Sequence, residues 1–172
     1  MNAIIENLLT RRSTRAFLQK EIPDNELNEI LQAAIYAPSG MGKQTWKFTV
    51  LCNQEKIQQL AELFGRKLGR KGYDMYRPQV LIIPSNQKEN PHGMEDNACA
   101  LENIFLAAHS FGIGSVWINQ LRTLCDDPEV RALLDEFEIP SDHVVYGMAA
   151  LGYPADAPKK EIHKIGEIRI IK

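Results

Sequence analysis

Between Arg11 and Arg15 the chain reads Arg-Arg-Ser-Thr-Arg, three guanidiniums and two hydroxyls in five residues. A guanidinium is a planar fork of donors that meets phosphate oxygens two at a time, and hydroxyls add further donors. Such a cluster suits a phosphate monoester. Arginines at a helix end also complement the helix dipole while staying in water, so the cluster by itself leaves both readings open.

Other chemistries find no constellation. Ala37-Pro38-Ser39-Gly40-Met41-Gly42-Lys43-Gln44 resembles a phosphate loop. However, Ala37 stands where the first glycine belongs, Gln44 replaces the hydroxyl residue, and a helical pattern precedes it where a strand is required. Gly112-Ile113-Gly114 opens like a dinucleotide fingerprint, but Trp117 holds the third glycine position and the order is helix to strand. His92, His109, His143 and His163 are isolated, with no His-Glu-x-x-His pair and no paired cysteines to hold a metal. There is no Gly-x-Ser-x-Gly elbow either. The basic, aromatic-interleaved stretch from Arg66 to Arg77 reads as a solvated loop at the rim of a cleft rather than a nucleic-acid surface, given a net charge of -2.

The elements that must position the arginine cluster follow from periodicity. Ile4, Ile5, Leu8 and Leu9 recur at helical spacing just before it. A second helix follows Pro23, with Asp24 and Glu26 in its first turn and Leu27, Ile30, Leu31, Ala34 and Ile35 as its stripe; Pro38 stops it. The loop from Ser39 to Gln44 leads into a strand over Trp46–Leu51. Asn53 is placed to cap a helix carrying Ile57, Leu60, Ala61, Phe64 and Leu68, and a glycine-punctuated loop runs from Gly65 to Tyr76. Val80–Ile83 is wholly apolar, the pattern of a strand covered on both faces, and Pro84–Met94 reads as a loop. A central helix carries Ala98, Leu101, Ile104, Phe105, Leu106 and Ala108 and ends at Gly112. Strands are expected over 115–118 and 144–151, with Asp127-Pro128 opening a short helix between them. A last strand, Glu167–Lys172, has little of its own domain left to pair with, so a partner subunit is its expected neighbour.

At 172 residues, with 44% hydrophobic and 24% charged content, the chain has the size and texture of one globular domain. No apolar run approaches the ~20 residues that span a bilayer, and no export signal is visible at the start. The odd, widely spaced Cys52, Cys99 and Cys125 suit a reducing cytoplasm. The expected class is α+β, a layered sheet with helices.

Four stretches in order resemble the nitroreductase family of FMN-dependent oxidoreductases, over nearly the whole chain. They are Arg11–Phe17; Ala33–Gly40 with Gln44–Phe48; Leu106–Trp117; and Gly147–Pro154. The resemblance implies a three-layer α/β/α mixed sheet in a single domain, 1–172, whose arm from 155 to 172 exchanges a strand across a homodimer. It implies two FMN molecules in clefts between the subunits. Arg11, Ser13 and Arg15 would hold the ribityl phosphate and the pyrimidine edge, with Arg12 adding backbone or side-chain contacts. Pro38, Ser39, Gly40, Met41 and Gln44 would reach the ring from the other subunit. Val116, Trp117, Ile118 and Asn119 would lie along the ring with backbone near N5, and Lys159 and Lys160 would complete the phosphate site.

The implied activity is NADH or NADPH oxidation, hydride passing through the flavin to a nitroaromatic, quinone or similar acceptor by a ping-pong mechanism. No catalytic side chain, metal, nucleic acid or membrane is required. Flavin reduction, reductive dehalogenation and non-enzymatic flavin binding are the alternatives on the same scaffold. The chain is short for the family, its lid reduced to roughly Gly65–Arg77.

Overall fold

The computed structural model describes residues 2–156 and 164–172. Helices and strands alternate in the order α1 (Ala3–Thr10), α2 (Asp24–Ile35), β1 (Trp46–Leu51), α3 (Gln54–Lys67), β2 (Val80–Gln87), α4 (Gly93–Ser110), β3 (Gly114–Ile118), α5 (Pro128–Glu136), β4 (His143–Val144) and β5 (Met148–Gly152). The capping residues act as their types require. Asn53 accepts from the Lys56 amide, and Asp127 accepts from Glu129 and Val130 ahead of Pro128. Gly112, at φ 72°, turns the chain out of α4.

The strands lie in the order β1-β2-β5-β3, with β4 on the polar end of β2. Every ladder is antiparallel. Parallel character is confined to a bridge between Ser13 and Ser115, where the Thr14 amide donates to the Ser115 carbonyl at 2.8 Å. The chain leaving α1 therefore lies along β3.

Alternation of side chains splits the core in two. Val80, Ile82, Ala149 and Leu151 pack with α2 and α4 on one face; Leu81, Ile83, Val116, Ile118, Met148 and Ala150 pack with α3 and α5 on the other. This is the three-layer α/β/α arrangement, and it makes α4, buried along most of its length, the spine of one layer.

Several expectations need correction. Pro84–Gln87 continues β2 instead of forming a loop, with Pro84 opposite Phe48 and Asn86 opposite Trp46. Polar residues end this buried strand where other side chains reach them: Thr45 Oγ1 donates to Asn86 Oδ1 at 2.6 Å and Ser85 Oγ bonds His143 Nδ1 at 2.9 Å, although Asn86 Nδ2 has no partner among the described residues. Helix α4 begins at Gly93, ahead of its first apolar periodic residue. Helix α3 runs through Gly65 to Lys67. The strand expected over 144–151 is two strands, because Val145–Gly147 leaves the ladder between them.

Helix α1 buries none of its residues, and Ile4 and Leu9 are 72% and 63% exposed. Residues 164–172 form no strand within the chain, and Ile165, Ile168, Ile170 and Ile171 all face outward.

Candidate functional site

The arginine cluster begins where α1 ends. Arg11 lies over the Phe105 ring of α4, 5.8 Å from its centroid, and 4.0 Å from the Glu102 carboxylate. Phe105 in turn meets Trp117 of β3, ring centroids 6.2 Å apart and tilted 53°. Trp117 is 40% exposed and donates from Nε1 to Asn119 Oδ1 at 3.3 Å. Its indole rests on Gly147, where an added Cβ would stand 2.4 Å from Nε1. A helix end, a buried helix, an edge strand and the glycine before β5 thus build one surface with an aromatic floor and a cationic wall.

Ser13 is fixed beside this floor by its bridge to Ser115. Thr14 packs onto Gly114 so closely that a Cβ there would lie 2.5 Å from Thr14 Oγ1. Behind the wall, His109 Nε2 bonds Thr10 Oγ1 at 2.9 Å. Burial, and then the Arg11 and Arg12 guanidiniums, hold that imidazole below its usual pKa. Among the described residues neither Arg12 nor Arg15 has a carboxylate within 4.0 Å, and the single partner of Arg11 sits at that limit. Three cations with so little compensation form a donor set that fits an anionic phosphate.

The β3 residues divide by face. Trp117 and Asn119 are exposed at the strand end, whereas Val116 and Ile118 are buried in the α3/α5 core. Only the backbone of those two can line the site.

The loop after Pro38 is held somewhere else. The Gly40 amide donates to Asp96 Oδ1 at 2.6 Å, and Asn90 Nδ2 donates to Asp96 Oδ2 at 3.0 Å. Asn90 Nδ2 also reaches Thr45 Oγ1 at 2.9 Å, and the Gln44 amide donates to Ser39 Oγ at 2.9 Å. A Cβ on Gly40 would lie 2.6 Å from the His92 ring. Inside this brace Met41 and Gln44 take φ of 58° and 50°. Left-handed backbone costs a non-glycine residue about 1–3 kcal/mol and persists only where surroundings impose it. Met41 is 82% exposed, so the brace presents an apolar side chain outward.

Asp96 itself is only 3% exposed. The sequence points to neither this residue nor Asn90, because Asn90 falls in the stretch that reads as a loop and Asp96 precedes the apolar periodicity of the helix; the polar run Glu95-Asp96-Asn97 ahead of that periodicity is the available signal.

Within one chain the two groups of residues stay apart. Asp96 and Phe105 are nine residues apart on α4, which at 1.5 Å and 100° per residue is ~14 Å along the axis and about half a turn around it. The arginine cluster and the Pro38–Gln44 loop therefore attach to opposite sides of the same helix. Lys159 and Lys160 lie outside the described residues.

The description of the Nitroreductase family matches residues 8–75 and 67–153 of this chain. A crystal structure of a nitroreductase with bound FMN from Bacteroides fragilis is 43% identical, covers 100% of both chains and superposes with a TM-score of 0.93. A protein of Archaeoglobus fulgidus, named as a candidate NADH dehydrogenase/NAD(P)H nitroreductase, is 32% identical over 158 residues, 91% of this chain and 88% of that one. An FMN reductase (NADPH) of Bacillus subtilis is 27% identical over 180 residues, 94% of this chain and 70% of that protein.

Proposed function

Because the chain belongs to the nitroreductase family, we propose that it is an FMN-dependent NAD(P)H oxidoreductase acting on nitroaromatics, quinones or similarly electron-poor acceptors. The observation that carries this reading is Arg11 over Phe105 beside the exposed Trp117, in a run whose Arg12 and Arg15 have no carboxylate within 4.0 Å among the described residues. A flavin mononucleotide matches both halves, a dianionic phosphate for the guanidiniums and a flat ring for the aromatic floor. Bound there, FMN would supply hydride transfer from NAD(P)H to the acceptor.

The chain's own residues bind and orient. Arg11, Ser13 and Arg15 would hold the phosphate and the pyrimidine edge, with Arg12 adding backbone or side-chain contacts, and a fixed guanidinium such as Arg15 would favour the negative charge that reduction brings and so raise the potential. Val116 to Asn119 supply backbone along the ring. No side chain is assigned as acid or base: donor and acceptor would use one open face in turn, and the proton that accompanies each hydride to the acceptor would come from solvent at that face. The oxidised nucleotide leaves before the acceptor enters, a ping-pong order.

The working unit is a homodimer of a single domain spanning 1–172. Two observations favour it. The Pro38–Gln44 loop attaches to α4 on the side away from the arginines, so Pro38, Ser39, Gly40, Met41 and Gln44 would complete the partner's site. Helix α1 and residues 164–172 also expose apolar surface of the kind a second copy covers. The arm from 155 to 172 would pair with the partner's sheet, and Lys159 and Lys160 would close around the phosphate.

No helix among the described residues is long and apolar enough to cross a membrane. The free Cys52, Cys99 and Cys125 fit a reducing cytoplasm. A second reading, reduction of free flavin, is favoured by similarity to the Bacillus subtilis FMN reductase.

Initial rates with NADH or NADPH, varied against a nitroaromatic and separately against free FMN, test this. Parallel double-reciprocal lines with the nitroaromatic are expected. Intersecting lines refute the ping-pong order, and turnover with free FMN alone favours the second reading.

A further inference from the structure

A cavity of about 450 Å³ lies outside the residues assigned to flavin so far, lined by Glu62, Arg66, Arg70, Lys71 and Tyr73 with the glycines between them. That volume is in the range of small-molecule sites. Three of its side chains are cations and one is a carboxylate. Arg66 shares Glu129 with Lys67, at 3.3 and 2.8 Å respectively, while neither Arg70 nor Lys71 has a carboxylate within 4.0 Å among the described residues. The excess is positive and unneutralised.

Local geometry fixes the excess in place. The Arg70 amide donates to the Gly65 carbonyl at 2.8 Å, folding the loop back onto the last turn of α3. A Cβ on Gly65 would stand 2.9 Å from the Arg70 carbonyl oxygen, so only glycine admits this fold. The Arg70 guanidinium lies 5.8 Å from the centroid of the Tyr73 ring, and the half-buried tyrosine packs against the core beneath.

Topology sets the cavity at the end of the sheet that carries the proposed reaction site. Trp46 pairs with Asn86 and Ile118 with Met148, so the start of β1, the end of β2, the start of β5 and the end of β3 share one end of the sheet. Lys67, the last residue of α3, bonds Asp127 at 2.9 Å, in the segment that follows β3. The cationic loop therefore stands at the sheet end that carries Trp117, Asn119 and Gly147, on the α3/α5 face, whereas Trp117 turns to Phe105 on the α4 face. A pyridine nucleotide carries its two or three phosphates away from the ring that reacts, so cations that meet them are expected at this end of the sheet and apart from the flavin's own phosphate cradle.

We propose that the Arg66–Tyr73 cavity receives the phosphates of the incoming pyridine nucleotide, with Arg70 and Lys71 as its principal cations. This rests on the oxidoreductase reading above. Both the pyrophosphate common to NADH and NADPH and the 2′-phosphate of NADPH share the required chemistry.

The test uses the FMN-loaded protein and the exposed-site variants Arg70→Ala, Lys71→Ala and the double variant, with Arg70→Lys as a charge-retaining control. KM is measured for NADH and NADPH at a fixed acceptor, and binding of ADP and of adenosine 2′,5′-bisphosphate is followed by calorimetry. In the double variant KM is expected to rise about tenfold or more, the order of one charge-assisted hydrogen bond, with kcat unchanged and Arg70→Lys partly restored. A rise for both nucleotides, with weaker ADP binding, assigns the cavity to the pyrophosphate. A rise for NADPH alone, with loss of bisphosphate binding, assigns it to the 2′-phosphate.

Unchanged KM and binding overturn the proposal. So does release of FMN from the variants, which would make these cations part of the flavin cradle. A wild-type protein that oxidises neither nucleotide sinks the functional reading itself, and that result is distinct from normal oxidation with unaltered KM.

Discussion

Asp96→Ala probes the brace that holds the Pro38–Gln44 loop. The substitution leaves two donors, the Gly40 amide and Asn90 Nδ2, without the carboxylate they meet at 2.6 and 3.0 Å. A hydrogen bond to a charged group nets about 1.5–3 kcal/mol, and an orphaned buried donor costs about 1–3 kcal/mol. Gly40 is half-exposed and water can replace part of its loss, so a total of about 3 kcal/mol is expected. At roughly 2–4 °C per kcal/mol for a chain of this size, Tm falls by ~6–12 °C.

The loop's left-handed Met41 and Gln44 relax once the brace is gone. If half of the loss is spent on loop order, FMN affinity of the proposed dimer falls about tenfold. Asp96→Asn keeps an acceptor for Gly40 but turns an NH2 group toward Asn90, and should show about half the effect; the exchanged pair Asn90→Asp with Asp96→Asn should recover part of it. Thermal melts with FMN fluorescence during dialysis give both readouts. Wild-type Tm and wild-type flavin retention in Asp96→Ala would refute the brace.

Arg15→Ala removes one guanidinium that has no carboxylate partner among the described residues, and is expected to weaken FMN retention by about 1.5–3 kcal/mol, measured as flavin left after dialysis. Gly147→Ala drives a methyl into the Trp117 indole and should shift tryptophan fluorescence and lower flavin content together. His143 is buried, which holds its pKa below 6.5, opposed by Asp142 and reinforced by Lys47. Its folded pKa is depressed, so the unfolded chain takes up the proton first. That contribution to stability is present above about pH 6.5 and lost as pH falls through the folded pKa. Tm should drop on acidification below pH 6.5, and less steeply in His143→Gln. Deleting residues 164–172 should convert the dimer toward monomer in sedimentation velocity and loosen FMN.

Much of the frame was legible because it depends on local rules. The stripes of α2 and α3, the caps at Asn53 and Asp127 and the wholly apolar Val80–Ile83 each follow from one residue's neighbours along the chain. What escaped depends on partners distant in sequence. Ser85 and Asn86 look like loop residues until His143 bonds the Ser85 hydroxyl and Thr45 the Asn86 carbonyl oxygen inside the sheet. Asp96 looks solvated until the Gly40 amide, 56 residues away, closes on it.

The arginine cluster was visible as chemistry and the family resemblance pointed to Trp117, but the packing of Trp117 on Phe105 was not legible, since both share the pattern of plain core. The amphipathic spacing of α1 marks an apolar face, yet the described residues bury none of the residues of α1.

The account stands or falls on whether this polypeptide carries a flavin that pyridine nucleotides reduce. The visible spectrum of the purified protein, recorded before and after anaerobic addition of NADH or NADPH, measures that directly. The expected result is one FMN per subunit, with absorbance bleached by the nucleotide and restored by a nitroaromatic. A colourless protein that takes up no added FMN would contradict the account.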